Sequence, residues 1–513
     1  IHSGVGWSMA AVGSTVGMYY NVVVAWSSIY LYKIVVGQSG DWSSCRNDWN
    51  TFHCESSLED AACLASSNGS LGFYFNQSCY GTDMKDALRD TVYGAVSPAE
   101  EFFENFVTQR SSGMDDLGGI NWKVFGALFG VWCLVALAMS QGVRWLGKLA
   151  FFSATVPYII IAAFFVRGIT LDGSYEGIEF YLLRPDFSHV YNMNTWKAAL
   201  THCCFSLSIG FGGIMAMSSY NDFKHNCYKD VLTVVIADNF MNVFGGTAVF
   251  ATLGFMAKQL GKPVAEVVQS GTSLIFVAYP EAMARMPFSA FWAFLFFFML
   301  FVLGITTSFG YTQVIVTCLR DESAFLYPHR ALLTCGAALS MFLGGIIICT
   351  RAGIYWFNVF NDFTGSTCIC LVGVIEVVWM THVYGLSNLV ADLREMFGSP
   401  QTRLTSIFGS TGLLIRFEFA LIAPLFGMVV LISTFFRSPL TYGKGTRIYY
   451  YPWWAEVFGW LLVSVPISLM VVGVVYKVID FRSRKKPLSE LFRVQQPLRS
   501  FTRIRGPVTK ATT

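Results

Sequence analysis

Residues 201–222 read THCCFSLSIGFGGIMAMSSYND, and Ser206, Ser208, Gly210, Gly212 and Gly213 crowd the middle of a hydrophobic segment. Each glycine costs a helix about 1 kcal/mol against alanine, so an unbroken spanning helix gains nothing from them. A helix that breaks and turns bare backbone toward a ligand needs them. In lipid such backbone survives only where protein buries it or where it lines a cavity. Residues 205–213 are therefore expected to be unwound, with a half-helix on each side. Discontinuous helices of this kind hold a solute and its coupling ion near the bilayer midplane. The competing reading is a small-residue face that packs helices together.

Other residues in apolar surroundings have types suited to the same task. Asp238 has Asn239 and Asn242 nearby, and Asp238 and Asn242 share a helix face at i, i+4. A carboxylate at membrane depth is expensive and usually functional, the alternative being a salt-bridged or packing acid. Thr306, Thr307 and Ser308 offer consecutive hydroxyls, although back-bonding to the carbonyl four residues earlier is the plainer reading of each. Val16 and Tyr20 lie four apart, on one face. Such a tyrosine donates to a ligand oxygen or simply packs. Glu376 is another acid at span depth that could be paired between helices, and no role is assigned to it. No nucleophile–base set or phosphate loop stands out. His202, Cys203 and Cys204 are adjacent, diverge on a helix, and have no second pair at zinc spacing. The chain is not expected to be an enzyme.

These residues must be positioned by spanning helices. The 513 residues are 54% hydrophobic and 13% charged, against about 25% charged in soluble domains. Forty-six phenylalanines and fourteen tryptophans suit lipid-facing helices with interfacial aromatic belts. The class is an all-α polytopic membrane protein. Apolar runs of about 20 residues fall near 5–36, 122–140, 149–167, 196–220, 230–256, 288–319, 330–350, 354–382, 412–436 and 453–478, ten in all. An even number puts both ends on one face. The tail 480–513 carries nine Lys or Arg against two acids, which makes that face cytoplasmic. Anionic lipid accounts for the basic tail, and nucleic acid is not an expected partner. The chain opens on Ile1 with no signal peptide, so it is expected to be a fragment.

The loop 37–121 then faces outward. Its sequons at Asn68 and Asn76 have meaning only there, and disulfides persist there. Cys45–Cys54 is the expected pair. Cys63 with Cys79 is a candidate second pair, one of the three connectivities that four cysteines allow. The remaining cysteines are expected to be small apolar fillers.

An ordered series of motifs resembles the neurotransmitter:sodium symporters. It comprises Tyr19-Tyr-Asn-Val with Trp26, then Trp42 with Cys45 and Cys54 flanking Trp49-Asn50-Thr51, then Pro98-Ala-Glu-Glu-Phe and Arg167-Gly-Ile-Thr-Leu. Trp196, Phe205-Ser-Leu-Ser, Ser218-Ser-Tyr-Asn, Asn226-Cys-Tyr-Lys-Asp230 and Tyr279-Pro-Glu-Ala follow. The resemblance runs from about residue 4 to 480. It implies the inverted-repeat (5+5) transporter fold of the bacterial leucine transporter type. The ten spans correspond to family spans three to twelve, so the two opening spans, one of them the other broken helix, are expected to be missing. The implied organisation is one span at 1–36, the outer loop 37–121, a core 122–382 holding the broken helix, two accessory spans within 383–479 and the tail 480–513.

The resemblance also implies roles. The family's substrate positions fall on Val16, Tyr20, Phe205, Ser206, Phe211, Thr307 and Ser308. Tyr20 would hold a substrate carboxylate and close an aromatic lid with Phe211. Tyr311 stands where many members have glycine, which implies an altered size preference. The sodium positions fall on Ser206 and Asp238, the latter replacing the usual asparagine, and on the Leu303 carbonyl with Thr306 and Thr307. The chloride positions fall on His202, Ser206 and Asn242, where histidine and asparagine replace glutamine and serine. A fixed acid near a cation is worth about 4 kcal/mol at 4 Å and an effective dielectric of 20, so Asp238 is expected to make chloride dependence weak or nil. Asp362 resembles the outer-gate acid, and Tyr220 and Asp321 the inner gate. The implied activity is sodium-coupled import of a small amino acid or amine at the plasma membrane by alternating access. FSLSIGFGG looks closer to amino-acid and invertebrate nutrient carriers than to monoamine carriers. A non-transporting relative serving as membrane scaffold or sensor is the second reading, motivated by the altered ion positions.

Overall fold

The computed structural model describes residues 2–67, 70–81, 83, 96–141, 143–219, 221–268, 271–322, 325, 328–435, 439–443 and 447–485. Its helices form around α1 (His2–Val35). In chain order follow α2 (Trp122–Ser140), α3 (Val143–Ile169), α4 (Met193–Ser206), α5 (Gly213–Ser218) and α6 (Cys227–Leu260). Then come α7 (Ser289–Glu322), α8 (Arg330–Gly345), α9 (Gly353–Asp362), α10 (Ile369–Val378), α11 (Ala423–Phe435) and α12 (Trp453–Ser483). Among the described residues, eight helices are long and apolar enough to cross a membrane. They coincide with eight of the ten expected spans. The other two are α1 and the α4–α5 segment.

The reason for α1 lies in its surroundings. It packs most extensively on α7, and also on α12, α2 and α8. Val12, Val16, Tyr19, Val22, Ala25, Trp26 and Tyr30 are all buried. Protein rather than lipid surrounds the helix, so polar residues cost little if bonded. Ser14, Asn21 and Ser27 each donate to the carbonyl four residues back, at 2.6, 3.1 and 2.9 Å. Tyr30 stacks on Phe297 at 4.3 Å and donates its hydroxyl to the Phe276 carbonyl at 2.7 Å. The outward faces of α3 and α12 instead expose Phe151, Ile159, Leu461 and Val472, as a lipid-facing surface requires.

The loop 37–121 is fastened by two disulfides, Cys45–Cys54 and Cys63–Cys79. A two-stranded hairpin pairs Phe73–Phe75 with Ser78–Tyr80. The buried Glu101 carboxylate gathers Asn50 Nδ2 at 2.9 Å, the Thr51 amide at 3.0 Å and the Thr51 hydroxyl. The Asn50-Thr51 and Pro98-Ala-Glu-Glu motifs are thus two halves of one network. Three residues on, Glu104 pairs with Arg110. Burial pushes the Glu104 carboxyl up to about 7, with Arg110 opposing the shift. Asn76 sits exposed in the hairpin turn, whereas Asn68 lies outside the described residues.

Candidate functional site

The helix α4 stops at Ser206 and α5 starts at Gly213. Between them Ser208, Gly210 and Gly212 have φ of 54, 79 and 72°, the left-handed region that glycine enters without penalty. Space imposes the same choice at Gly210, where a Cβ would meet the Ile369 carbonyl oxygen at 3.0 Å and the Gly373 nitrogen at 3.2 Å. The backbone freed by the break is in part satisfied by α10. Glu376 Oε2 accepts from the Gly210 amide at 3.3 Å. The sequence marks Glu376 as an acid at span depth that could be paired between helices, without its partner. Its partner lies 166 residues away in the chain, a pairing that no local pattern encodes.

Three of the predicted ion-site side chains come together at the end of α4. Ser206 Oγ donates to Asp238 Oδ1 at 2.5 Å, and Asn242 Nδ2 donates to Asp238 Oδ2 at 3.2 Å. The i, i+4 spacing of Asp238 and Asn242 on α6 makes the second bond. His202 lies one turn before Ser206 on α4 and is exposed. Carboxylate, hydroxyl and amide oxygens are a hard donor set, suited to an alkali or alkaline-earth cation rather than a soft metal.

A second group of predicted residues forms an aromatic cluster beside the break. Phe205 meets Phe211 edge to face at 5.7 Å, Phe211 meets Tyr311 at 5.4 Å, and Tyr311 meets Tyr20 at 6.1 Å. Phe211 and Val16 are buried. This cluster is where α1, α7 and the unwound segment converge.

The hydroxyls of α7 are oriented differently. Thr306 donates to the Val302 carbonyl at 2.8 Å and Thr307 to the Leu303 carbonyl at 2.9 Å. Ser308 is turned away from the aromatic cluster. It donates to Asn21 Oδ1 on α1 at 2.6 Å and is fully buried in the α1–α7 contact. Asp362 is the last residue of α9, and Asp321 falls within the last turn of α7. Tyr220 lies outside the described residues. Two buried thiols, expected to be apolar filler, lie in the seam next to the break: Cys370 Sγ of α10 is 3.5 Å from Thr201 Oγ1 of α4, and Cys204 of α4 lies against Gly373 of α10.

Many apolar helices, one of them snapped beside the Ser206–Asp238–Asn242 cluster, mark a multi-pass membrane protein. Sequence comparison gives the particular family. The sodium:neurotransmitter symporter family matches residues 1–481. The sodium-dependent transporter snf-5 of Caenorhabditis elegans is 34% identical over 529 aligned positions, which cover 99% of this chain and 71% of that protein. The chain belongs to the sodium:neurotransmitter symporter family, whose members are transporters and not enzymes.

Proposed function

We propose that this chain is the carrier unit of a sodium-coupled symporter that imports a small amino acid or amine by alternating access. The observation that carries the reading is the Ser206–Asp238 contact at the helix break, set beside the Tyr20–Tyr311–Phe211–Phe205 rings. A cation held by Ser206, Asp238 and bare backbone would be neighbour to a solute lying against those rings. The second sodium would use the Leu303 carbonyl with Thr306 and Thr307, once their helix-directed hydroxyls rotate toward it. Sodium is cargo here, and its binding shifts the carrier only by the difference in its affinity for the outward and inward states.

The finer points belong to the same reading. Two inverted five-helix repeats supply the fold, with the accessory spans and basic tail following them. The tail is cytoplasmic, the membrane is the plasma membrane, and the loop 37–121 is outside with Asn68 and Asn76 glycosylated. Asp362, Tyr220 and Asp321 belong to the gates, with Tyr20 and Phe211 as the lid. Tyr311 fills space beside the rings, which favours a small solute. Asp238 supplies negative charge that chloride would otherwise bring, so His202 and Asn242 no longer hold an anion.

Uptake of a tritiated amino-acid mixture by cells expressing the chain tests this reading. Uptake above that of empty cells should vanish when choline replaces sodium and persist when gluconate replaces chloride. Equal uptake in sodium and choline would overturn the coupling, and loss in gluconate would overturn the role given to Asp238.

A further inference from the structure

The seam between the first half of the broken helix and α10 is lined by small polar and sulfur side chains. Thr201 and Cys204 lie three residues apart on α4, on one face. Opposite them, Thr201 Oγ1 is 3.3 Å from Ser366 Oγ and 3.5 Å from Cys370 Sγ. Cys204, one turn after Thr201 on α4, therefore faces the same stretch of α10 that carries Cys370. A Cβ built on Gly373, one turn further along α10, would lie 3.9 Å from Cys204 Sγ, so backbone comes close on that side too. Both thiols are buried, at 4% and 3% exposure. Cys203, their neighbour on α4, is exposed and faces away from this seam.

We propose that Cys204 and Cys370 are a redox modification site, a thiol pair that closes to a reversible disulfide and pins the first half of the broken helix to α10. Two thiols on facing sides of one helix seam, within a turn of each other, can be brought by a local shift to the separation of about 5.5–6 Å between Cα atoms that a disulfide favours. The oxidant is a peroxide, small and uncharged enough to reach a buried seam. One sulfur attacks the O–O bond, gives its proton to the departing oxygen as water, and becomes a sulfenic acid. The second thiol attacks that sulfur. An S–S bond forms, the S–O bond breaks, and the hydroxyl leaves with the second thiol's proton as another water. The pair loses two electrons and the peroxide gains two. A dithiol reverses the step by thiol–disulfide exchange.

The consequence for transport rests on the alternating-access reading above. Cys204 sits two residues before Ser206, and Glu376, which holds the Gly210 amide, sits on the same helix as Cys370. A covalent bond there ties the unwound segment to α10 from both ends. A helix half that moves between outward and inward states cannot then leave α10.

The experiment uses the full chain in cell membranes. Membranes are treated with hydrogen peroxide, quenched, alkylated with iodoacetamide in denaturant and digested without reduction. Mass spectrometry should find the Cys204 peptide joined to the Cys370 peptide. The joined species should disappear after dithiothreitol and in Cys370→Ser and Cys204→Ser variants, and persist in Cys203→Ser. Sodium-dependent uptake of the tritiated amino-acid mixture should be lost with peroxide and regained with dithiothreitol, while Cys370→Ser resists peroxide. Alkylated Cys204 and Cys370 after peroxide, with no joined peptide, would overturn the site. A joined peptide with undiminished uptake would overturn the lock. Membranes that show the joined peptide after peroxide but no sodium-dependent uptake before it would overturn the transport reading and leave the disulfide standing.

Discussion

Ser206 Oγ donates to Asp238 Oδ1 across 2.5 Å, so the residue at which α4 stops is fastened to the middle of α6. The bond joins a hydroxyl freed by the helix break to a carboxylate that a spanning helix carries only at a cost. Both groups carry oxygens that a cation at the break could share.

Replacing the fixed charge should expose what it does. In Asp238→Asn the charge is lost and one of the two oxygens that accept from Ser206 and Asn242 becomes an NH2 donor, while the other is kept. Uptake by this variant is expected to require chloride where the wild type does not. The measurement is uptake in chloride against gluconate, and equal ratios for both proteins would refute the charge-replacement account.

The break itself depends on Gly210 and Glu376. Gly210→Ala puts a Cβ at φ +79° and 3.0 Å from the Ile369 carbonyl oxygen. The left-handed backbone alone costs roughly 1–2 kcal/mol, so the detergent-solubilised protein should melt several degrees lower. Glu376→Leu removes the acceptor of the Gly210 amide, at about 1–3 kcal/mol. Glu376→Gln keeps an acceptor and should melt close to wild type. Indistinguishable melting of all three variants would remove this contact from the account.

How much of this was readable beforehand differs residue by residue. The break was legible because serine and glycine are out of place in an apolar helix. The Asp238–Asn242 pair was legible because helical spacing puts them on one face. Glu376 carried the signal of a costly acid but not the name of its partner, which only tertiary packing supplies. The family resemblance puts Ser308 at the substrate site, yet a serine on a helix also finds whatever acceptor the next helix offers, here Asn21. Asn50, Thr51 and Glu101 were recognisable as motifs, and their joint network is set by folding of the loop. The run at 5–36 was legible as a span, whereas the polar residues along α1 are explained only by its burial among α7, α12, α2 and α8.

Pocket size should follow Tyr311. Its ring lies between Phe211 and Tyr20 at 5.4 and 6.1 Å, so Tyr311→Gly opens a volume beside both. Competition of bulky amino acids against tritiated uptake is expected to strengthen by about tenfold, the value of a side-chain-sized apolar contact of roughly 1–2 kcal/mol. Unchanged competition would place the solute elsewhere.

The loop carries a pH dependence of its own. Burial holds the Glu104 carboxyl up to about 7, above its unfolded value of about 4.3. Between those values the unfolded chain gives up this proton and the folded chain keeps it, so stability is fully present below the lower value and is lost as pH rises through the upper one. Melting temperature should therefore fall between about pH 5 and pH 7, and Glu104→Gln should flatten that part of the profile. A wild-type profile that rises over this interval, or a variant that retains the slope, would contradict the assignment.

The most direct test of the central claim is a sodium titration of tritiated amino-acid uptake by the wild type beside Asp238→Asn and Ser206→Ala, at matched surface expression. If the helix break and α6 hold the driving cation between them, half-maximal uptake needs at least about tenfold more sodium in each variant, equivalent to ~1.4 kcal/mol of lost cation binding. Three superimposable sodium curves would contradict it.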